Sequence, residues 1–179
     1  MKSTYTLEVA GLTRELPIVK LTDELSIASF VILGDAELVR KASPILAELL
    51  PEVDVLVTAE AKGIPLIYEI ANVLNMPKYY VARKSTKAYM QEPLINEVFS
   101  ITTQTKQFLC LDQKDAVEIA NKRVAIIDDV ISTGESIKAL EELVEKAGGQ
   151  VVARAAILAE GDACKREDII FLEKLPLFK

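Results

Sequence analysis

The sequence predicts an α/β domain built on a mostly parallel central sheet flanked by helices. Short apolar runs, Val53–Val57, Val124–Ile127 and Val151–Ala159, alternate with segments of helical period, the pattern of a sheet covered on both faces. The chain has 179 residues, close to one domain, and is 50% hydrophobic and 27% charged, an ordinary globular balance. No repeat, low-complexity tract or linker divides it, so residues 1–179 read as a single domain.

The elements follow in order. Tyr5, Leu7 and Val9 alternate with polar residues as a half-buried strand does, Ala10-Gly11 turns the chain, and Leu16–Leu21 can pair back. Asp35 is placed to cap a helix over Ala36–Leu50, where Leu38, Val39, Ala42, Ile45, Leu46 and Leu49 keep helical spacing; Pro44 is expected to bend it. A strand at Val53–Val57 leads through a turn at Ala59–Gly63 to an apolar helix from Ile64 to Leu74. A strand at Tyr79–Ala82 and a polar stretch at Arg83–Glu92 come next, then a hairpin across Glu97–Leu111. The core strand Val124–Ile127 precedes a helix from Ser136 to Ala147, which Gly148-Gly149 stops. Val151–Ala159 and Ile169–Leu172 complete the sheet.

Composition excludes several chemistries. There is no histidine, which removes imidazole acid–base catalysis and the Ser-His and Cys-His dyads. Two cysteines, Cys110 and Cys164, cannot build a disulfide framework, and a reducing, cytoplasmic setting is expected. No apolar run reaches the length of a membrane span, the first residues lack the core of a secretion signal, and no membrane contact is expected. A net charge of −6 gives no reason to expect nucleic acid as a partner.

Ligands of open parallel sheets bind beyond the carboxyl ends of the strands. One tip is rich in chemistry: Val124-Ala125-Ile126-Ile127 runs into Asp128-Asp129, then Val130-Ile131-Ser132-Thr133-Gly134-Glu135-Ser136 opens a helix. Hydroxyls at 132, 133 and 136, a glycine at 134 and the helix N–H groups suit a phosphate monoester. The two carboxylates would repel that phosphate, so they call for hydroxyls or a cation. A phosphate joined to a sugar diol satisfies both halves. Capping alone explains an isolated Thr-Gly turn, but not the whole strand–Asp-Asp–Ser-Thr-Gly-Glu-Ser run. Between Ile70 and Gln91 the basic residues Lys78, Arg83, Lys84 and Lys87 meet no acidic one, marking a positive site; Lys78 precedes its strand and belongs to the opposite end.

This run resembles the 5-phosphoribosyl diphosphate (PRPP) signature of the type I phosphoribosyltransferases, purine branch. Thr58-Ala59-Glu60-Ala61-Lys62-Gly63 is similar to their diphosphate loop, and Val81-Ala82-Arg83-Lys84-Ser85-Thr86-Lys87 to the strand end of their adenine enzymes. The resemblance covers about Val53 to Glu160. It implies the type I phosphoribosyltransferase fold, with a small hood for base recognition over residues 1–35, a PRPP-binding core over 36–179 and a flexible lid within Ser85–Gln104. It implies that Asp128 and Asp129 hold the ribose hydroxyls, and that Ile131, Ser132, Thr133, Gly134, Glu135 and Ser136 cradle the 5-phosphate. It assigns the diphosphate to Glu60, Ala61, Lys62, Gly63, Arg83, Lys84 and Lys87, with Asp128, Asp129, Lys62 and Arg83 as the catalytic set. Magnesium is expected to arrive with PRPP near the acidic pair, without a protein-built metal site. A non-proline cis bond is implied between Glu60 and Ala61, and a homodimer is implied as the working unit.

The acceptor base is read less directly. Phe30 could stack on a purine, or be a core aromatic within Ala28–Ile32. The two loops are adenine-enzyme-like, while Val98–Thr105 is closer to the xanthine enzymes and purine repressors. The lid glutamate of adenine enzymes is replaced by Thr102-Thr103, leaving Glu92 and Glu97 as the nearby carboxylates, and no lysine follows the strand ending Ala159-Glu160-Gly161. Adenine is the favoured acceptor. Xanthine transfer, or PRPP sensing without catalysis, is the alternative.

Overall fold

The computed structural model describes residues 4–99 and 106–178. The chain begins with β1 (Thr4–Val9) and β2 (Leu12–Lys20), an antiparallel pair in which Thr4 faces Pro17 and Val9 faces Leu12. Ala10 (φ 52) and Gly11 (φ 74) make the turn. Then β3 (Ser26–Ala28) pairs with β2. Helix α1 (Ala36–Leu49) starts at Asp35, whose carboxylate accepts the Leu38 N–H. Pro44 does not end α1: both Pro44 and Arg40, whose carbonyl loses its partner there, lie on the exposed side.

The core follows with β4 (Val55–Ala59), α2 (Ile64–Val73) and β5 (Tyr80–Ala82). A hairpin of β6 (Leu94–Phe99) and β7 (Lys106–Leu111) leads to α3 (Gln113–Ile119). Strand β8 (Arg123–Ile131), α4 (Glu135–Lys146), β9 (Gln150–Glu160), a 3-10 turn at Gly161–Lys165, β10 (Ile170–Leu175) and β11 (Leu177–Phe178) complete the chain. Five strands form a wholly parallel sheet in the order β10-β9-β8-β4-β5. Successive residues feed opposite faces. Leu56, Ala125, Ile127, Ala155 and Ile157 pack with α1, α2 and the N-terminal strands. Val55, Val57, Val124, Ile126 and Ala156 pack with α3 and α4. Burial on both faces explains why these strands are apolar throughout.

Three departures from the sequence reading matter. The acidic pair does not follow its strand but lies inside it: β8 continues to Ile131, pairing Asp128 with Ala156 and Ile131 with Ala159 of β9. The N-terminal strands are part of a four-stranded sheet, β1-β2-β3-β11, closed by the end of the chain. Helix α3 stands where only a connection was expected. The expected hairpin is present, and its base is pinned to α4: buried Asn96 donates to Ala139 O (3.1 Å) and Glu142 (3.0 Å), and accepts from Lys146. Among the described residues no helix is long and apolar enough to cross a membrane.

Candidate active site

The parallel strands deliver their carboxyl ends to one cavity of about 630 Å³. From β4 and the loop after it come Ala59, Glu60, Ala61 and Lys62; from the end of β5, Lys84; from β8 and beyond, Asp128, Asp129, Val130, Ser132 and Ser136. Ile27–Val31 of the N-terminal sheet and the loop after it form another wall, with Phe108, Leu109, Ala139, Glu160 and Leu175 completing the lining.

Glu60 organises the cationic side. Its carboxylate accepts Arg83 Nε at 2.5 Å and the Lys84 backbone N–H at 2.7 Å, tying the tips of β4 and β5 together. Burial opposes its ionisation, but the Lys84 N–H and the Arg83 guanidinium outweigh that and hold the carboxyl below its usual range. Arg83 also donates to the Tyr89 hydroxyl (3.1 Å), and its backbone pairs antiparallel with Cys110 of β7, docking the hairpin on the sheet edge. The Glu60–Ala61 peptide bond is cis, as the resemblance implied. Gly63 caps α2 at an ordinary φ of −69; space, not conformation, demands it, for an ideal Cβ would lie 2.1 Å from Thr58 Oγ1.

The acidic side is unusual electrostatically. Asp129 is 5% exposed and its Oδ2 has no partner among the described residues. Burial first, and then the charge of Asp129, push the Asp128 carboxyl up to about 7, while nearby Lys62 pulls it back. A buried carboxylate oxygen without a donor is costly, and Asp129 is one of the residues that line the cavity. Beyond the pair, Ser132 donates to Glu160 (2.7 Å), and Gly134 (φ 83) turns the chain into α4. The left-handed φ at Gly134 is where glycine is needed for conformation.

Of the residues singled out from sequence, Phe30, Glu60, Ala61, Lys62, Lys84, Asp128, Asp129, Ser132 and Ser136 line the cavity. Gly63, Arg83, Lys87, Ile131, Thr133, Gly134 and Glu135 are not among its lining residues; Arg83 is engaged by Glu60, Lys87 by the Ser85 hydroxyl, and the Ile131 side chain is core. Phe30, 7% exposed, belongs both to the core and to the cavity wall. Lys78 pairs with Asp115 and Glu118, away from the cavity. Glu92 borders a separate hollow with Tyr89 and Asp112, and Thr102 and Thr103 lie outside the described residues. Glu160 is a cavity residue that the sequence reading did not place; its one signal was its position at a strand end.

A doubly covered parallel sheet brings an acidic stretch of β8 and the basic residues after β4 and β5 to one cavity, beside a hydroxyl-rich loop that opens a helix. Residues 36–174 match the phosphoribosyl transferase domain, and the chain belongs to that family. It is 32% identical over 159 residues to an adenine phosphoribosyltransferase of Thermosipho africanus, covering 79% of this chain and 84% of that one. It is 33% identical over 101 residues to a xanthine phosphoribosyltransferase of Lactobacillus delbrueckii, covering 56% of this chain and 52% of the relative. The crystal structure of an adenine phosphoribosyltransferase from Thermoanaerobacter pseudethanolicus superposes with a TM-score of 0.67 at 28% identity, covering 80% of this chain and 84% of that one.

Proposed function

We propose that this protein is a purine phosphoribosyltransferase that moves the phosphoribosyl group of PRPP to a purine base, with adenine favoured, and releases diphosphate. The observation that carries the reading is one cavity shared by the acidic pair within β8 and the basic residues that follow β4 and β5. In it Asp128 and Asp129 bind the ribose hydroxyls, the loop from Ser132 to Ser136 takes the 5-phosphate, and Lys62 and Lys84 face the diphosphate. Glu60 holds Arg83 and the Lys84 backbone in place as that charge develops on the leaving group. The wall from Ile27 to Val31, with Leu109 and Leu175, keeps water from the anomeric carbon. Phe30 offers the base an apolar edge.

Magnesium fits the acidic pair. The unpartnered Oδ2 of Asp129 beside Asp128 is a donor set suited to a hard cation, and a magnesium ion bound with PRPP would supply charge neutralisation on the diphosphate. A homodimer is part of the proposal, supported by apolar side chains left exposed on α1 and α2: Ile45, Leu49, Tyr68 and Val73. The two free cysteines are in keeping with the cytoplasm.

The test is release of diphosphate from PRPP with adenine, hypoxanthine, guanine, xanthine, orotate and uracil in turn. Adenine is expected to give the highest kcat/KM. PRPP binding without release for any base would replace the enzyme by a sensor.

A further inference from the structure

The end of β9 and the segment after it both contact the loop that opens α4. Glu160 accepts the Ser132 hydroxyl at 2.7 Å. Past the 3-10 turn, the Arg166 guanidinium lies over Gly134, where an ideal Cβ would meet Nη1 at 2.7 Å and Cζ at 3.9 Å. Asp168 fixes the fork, accepting Nε at 2.9 Å and Nη2 at 2.7 Å. Nη1 has no hydrogen-bond partner among the described residues. Two nitrogens are thus occupied and the third is set against the loop.

The loop needs such a charge. A phosphate dianion entering between Ser132 and Ser136 meets Glu160, joined to Ser132, and Glu135 within the loop itself. The N-terminus of α4 offers roughly half an elementary charge, too little to offset them. The Arg166 guanidinium, its outer edge held by Asp168, turns its remaining Nη1 toward the loop as a directional, charge-assisted donor nearer to it than the Asp168 carboxylate. Ser132 and Ser136 at the two ends of this loop line the cavity together with Asp129, whose buried Oδ2 has no partner among the described residues.

We infer that Arg166 is a further binding residue of this site, donating through Nη1 to the phosphate monoester in the loop. The inference rests on the phosphoribosyl reading above. Calorimetric titration with ribose 5-phosphate and, separately, with diphosphate compares wild type with Arg166→Gln and Arg166→Lys. Arg166→Gln should bind ribose 5-phosphate at least about tenfold more weakly, with a shallower salt dependence and unchanged affinity for diphosphate. Arg166→Lys keeps the charge without the fork and should recover part of the loss; it decides the matter if Arg166→Gln does not fold. Wild-type affinity for ribose 5-phosphate in a folded Arg166→Gln protein overturns the inference and leaves Arg166 a packing residue. Equal losses for both ligands overturn it too. A wild-type protein that binds neither ligand overturns instead the phosphoribosyl reading beneath it.

Discussion

Replacing Gly63 by alanine tests whether the diphosphate loop is seated by close packing. The added Cβ would lie 2.1 Å from Thr58 Oγ1, 3.3 Å from Thr58 Cβ and 3.3 Å from the Ile127 carbonyl oxygen. Thr58 is fully buried and cannot swing into solvent, and Ile127 O is backbone of the central strand, so the loop itself must move. Overpacking of this kind costs about 1–3 kcal/mol, which for a chain of this size lowers Tm by roughly 2–12 °C. The displaced segment carries Lys62 and Glu60, so affinity for PRPP should fall with stability.

The same geometry predicts rescue. Thr58→Ala removes the atom at 2.1 Å and gives up little hydrogen bonding, because the Oγ1 contact with Ala59 O is a long 3.4 Å. Urea denaturation of wild type, both single variants and the double variant closes the cycle. The double variant should be more stable than the sum of the single effects predicts, by at least about 1 kcal/mol, and should regain PRPP affinity. Additivity within about 0.5 kcal/mol would refute the packing argument and would mean that Gly63 is there for another reason.

Asp129→Asn should leave Tm within a few degrees, since it removes a buried charge with an unpartnered oxygen, while PRPP affinity falls at least about tenfold, some 1.4 kcal/mol. The raised Asp128 carboxyl makes a pH prediction for the free protein: the folded state holds a proton that the unfolded chain loses near 3.8, so this contribution is complete below that value and is lost as pH rises through about 7. Thermal melts from pH 4 to 8 should show stability falling with pH by no more than about 1.4 kcal/mol per unit from this group, and Asp128→Asn should flatten that slope. Glu60→Gln keeps an acceptor for the Lys84 N–H but takes the counter-charge from Arg83; titration should show diphosphate binding weakened about three- to tenfold, with a stability change under about 1 kcal/mol.

What could be read from the sequence was local. The apolar runs of β4, β8 and β9 announce double-faced burial, and the chemistry at their tips sits within a few residues of each run. The elements that went unread take their structure from distant pairing. Strand β3 has three residues and is defined by Ile18↔Ala28 and its neighbours; β11 has two and exists because Leu177 meets Ile27. Helix α3 buries only Ala116 and Ile119, too few positions to show a period. Two adjacent charges look in sequence like the end of β8, whereas the β9 ladder carries the strand through them. Glu160 and Arg166 carry no local mark for the same reason: they meet the loop before α4 through the fold and not through adjacency.

The arrangement of charge explains how a chain of net charge −6 without histidine can serve this chemistry. Across the cavity, Lys62 and Lys84 follow β4 and β5, while Asp128 and Asp129 lie in the last half of β8 and Glu160 ends β9. A ligand that is polyanionic at one end and a diol at the other has one orientation in such a field, whatever the overall charge. Lys62 marks the boundary, close enough to Asp128 to act on its ionisation. Loss of diphosphate from a sugar asks for charge to be met at the leaving group and for water to be kept away. Cations at the ends of β4 and β5 and an apolar wall meet both needs with no imidazole, so the missing histidine is what this division of labour allows.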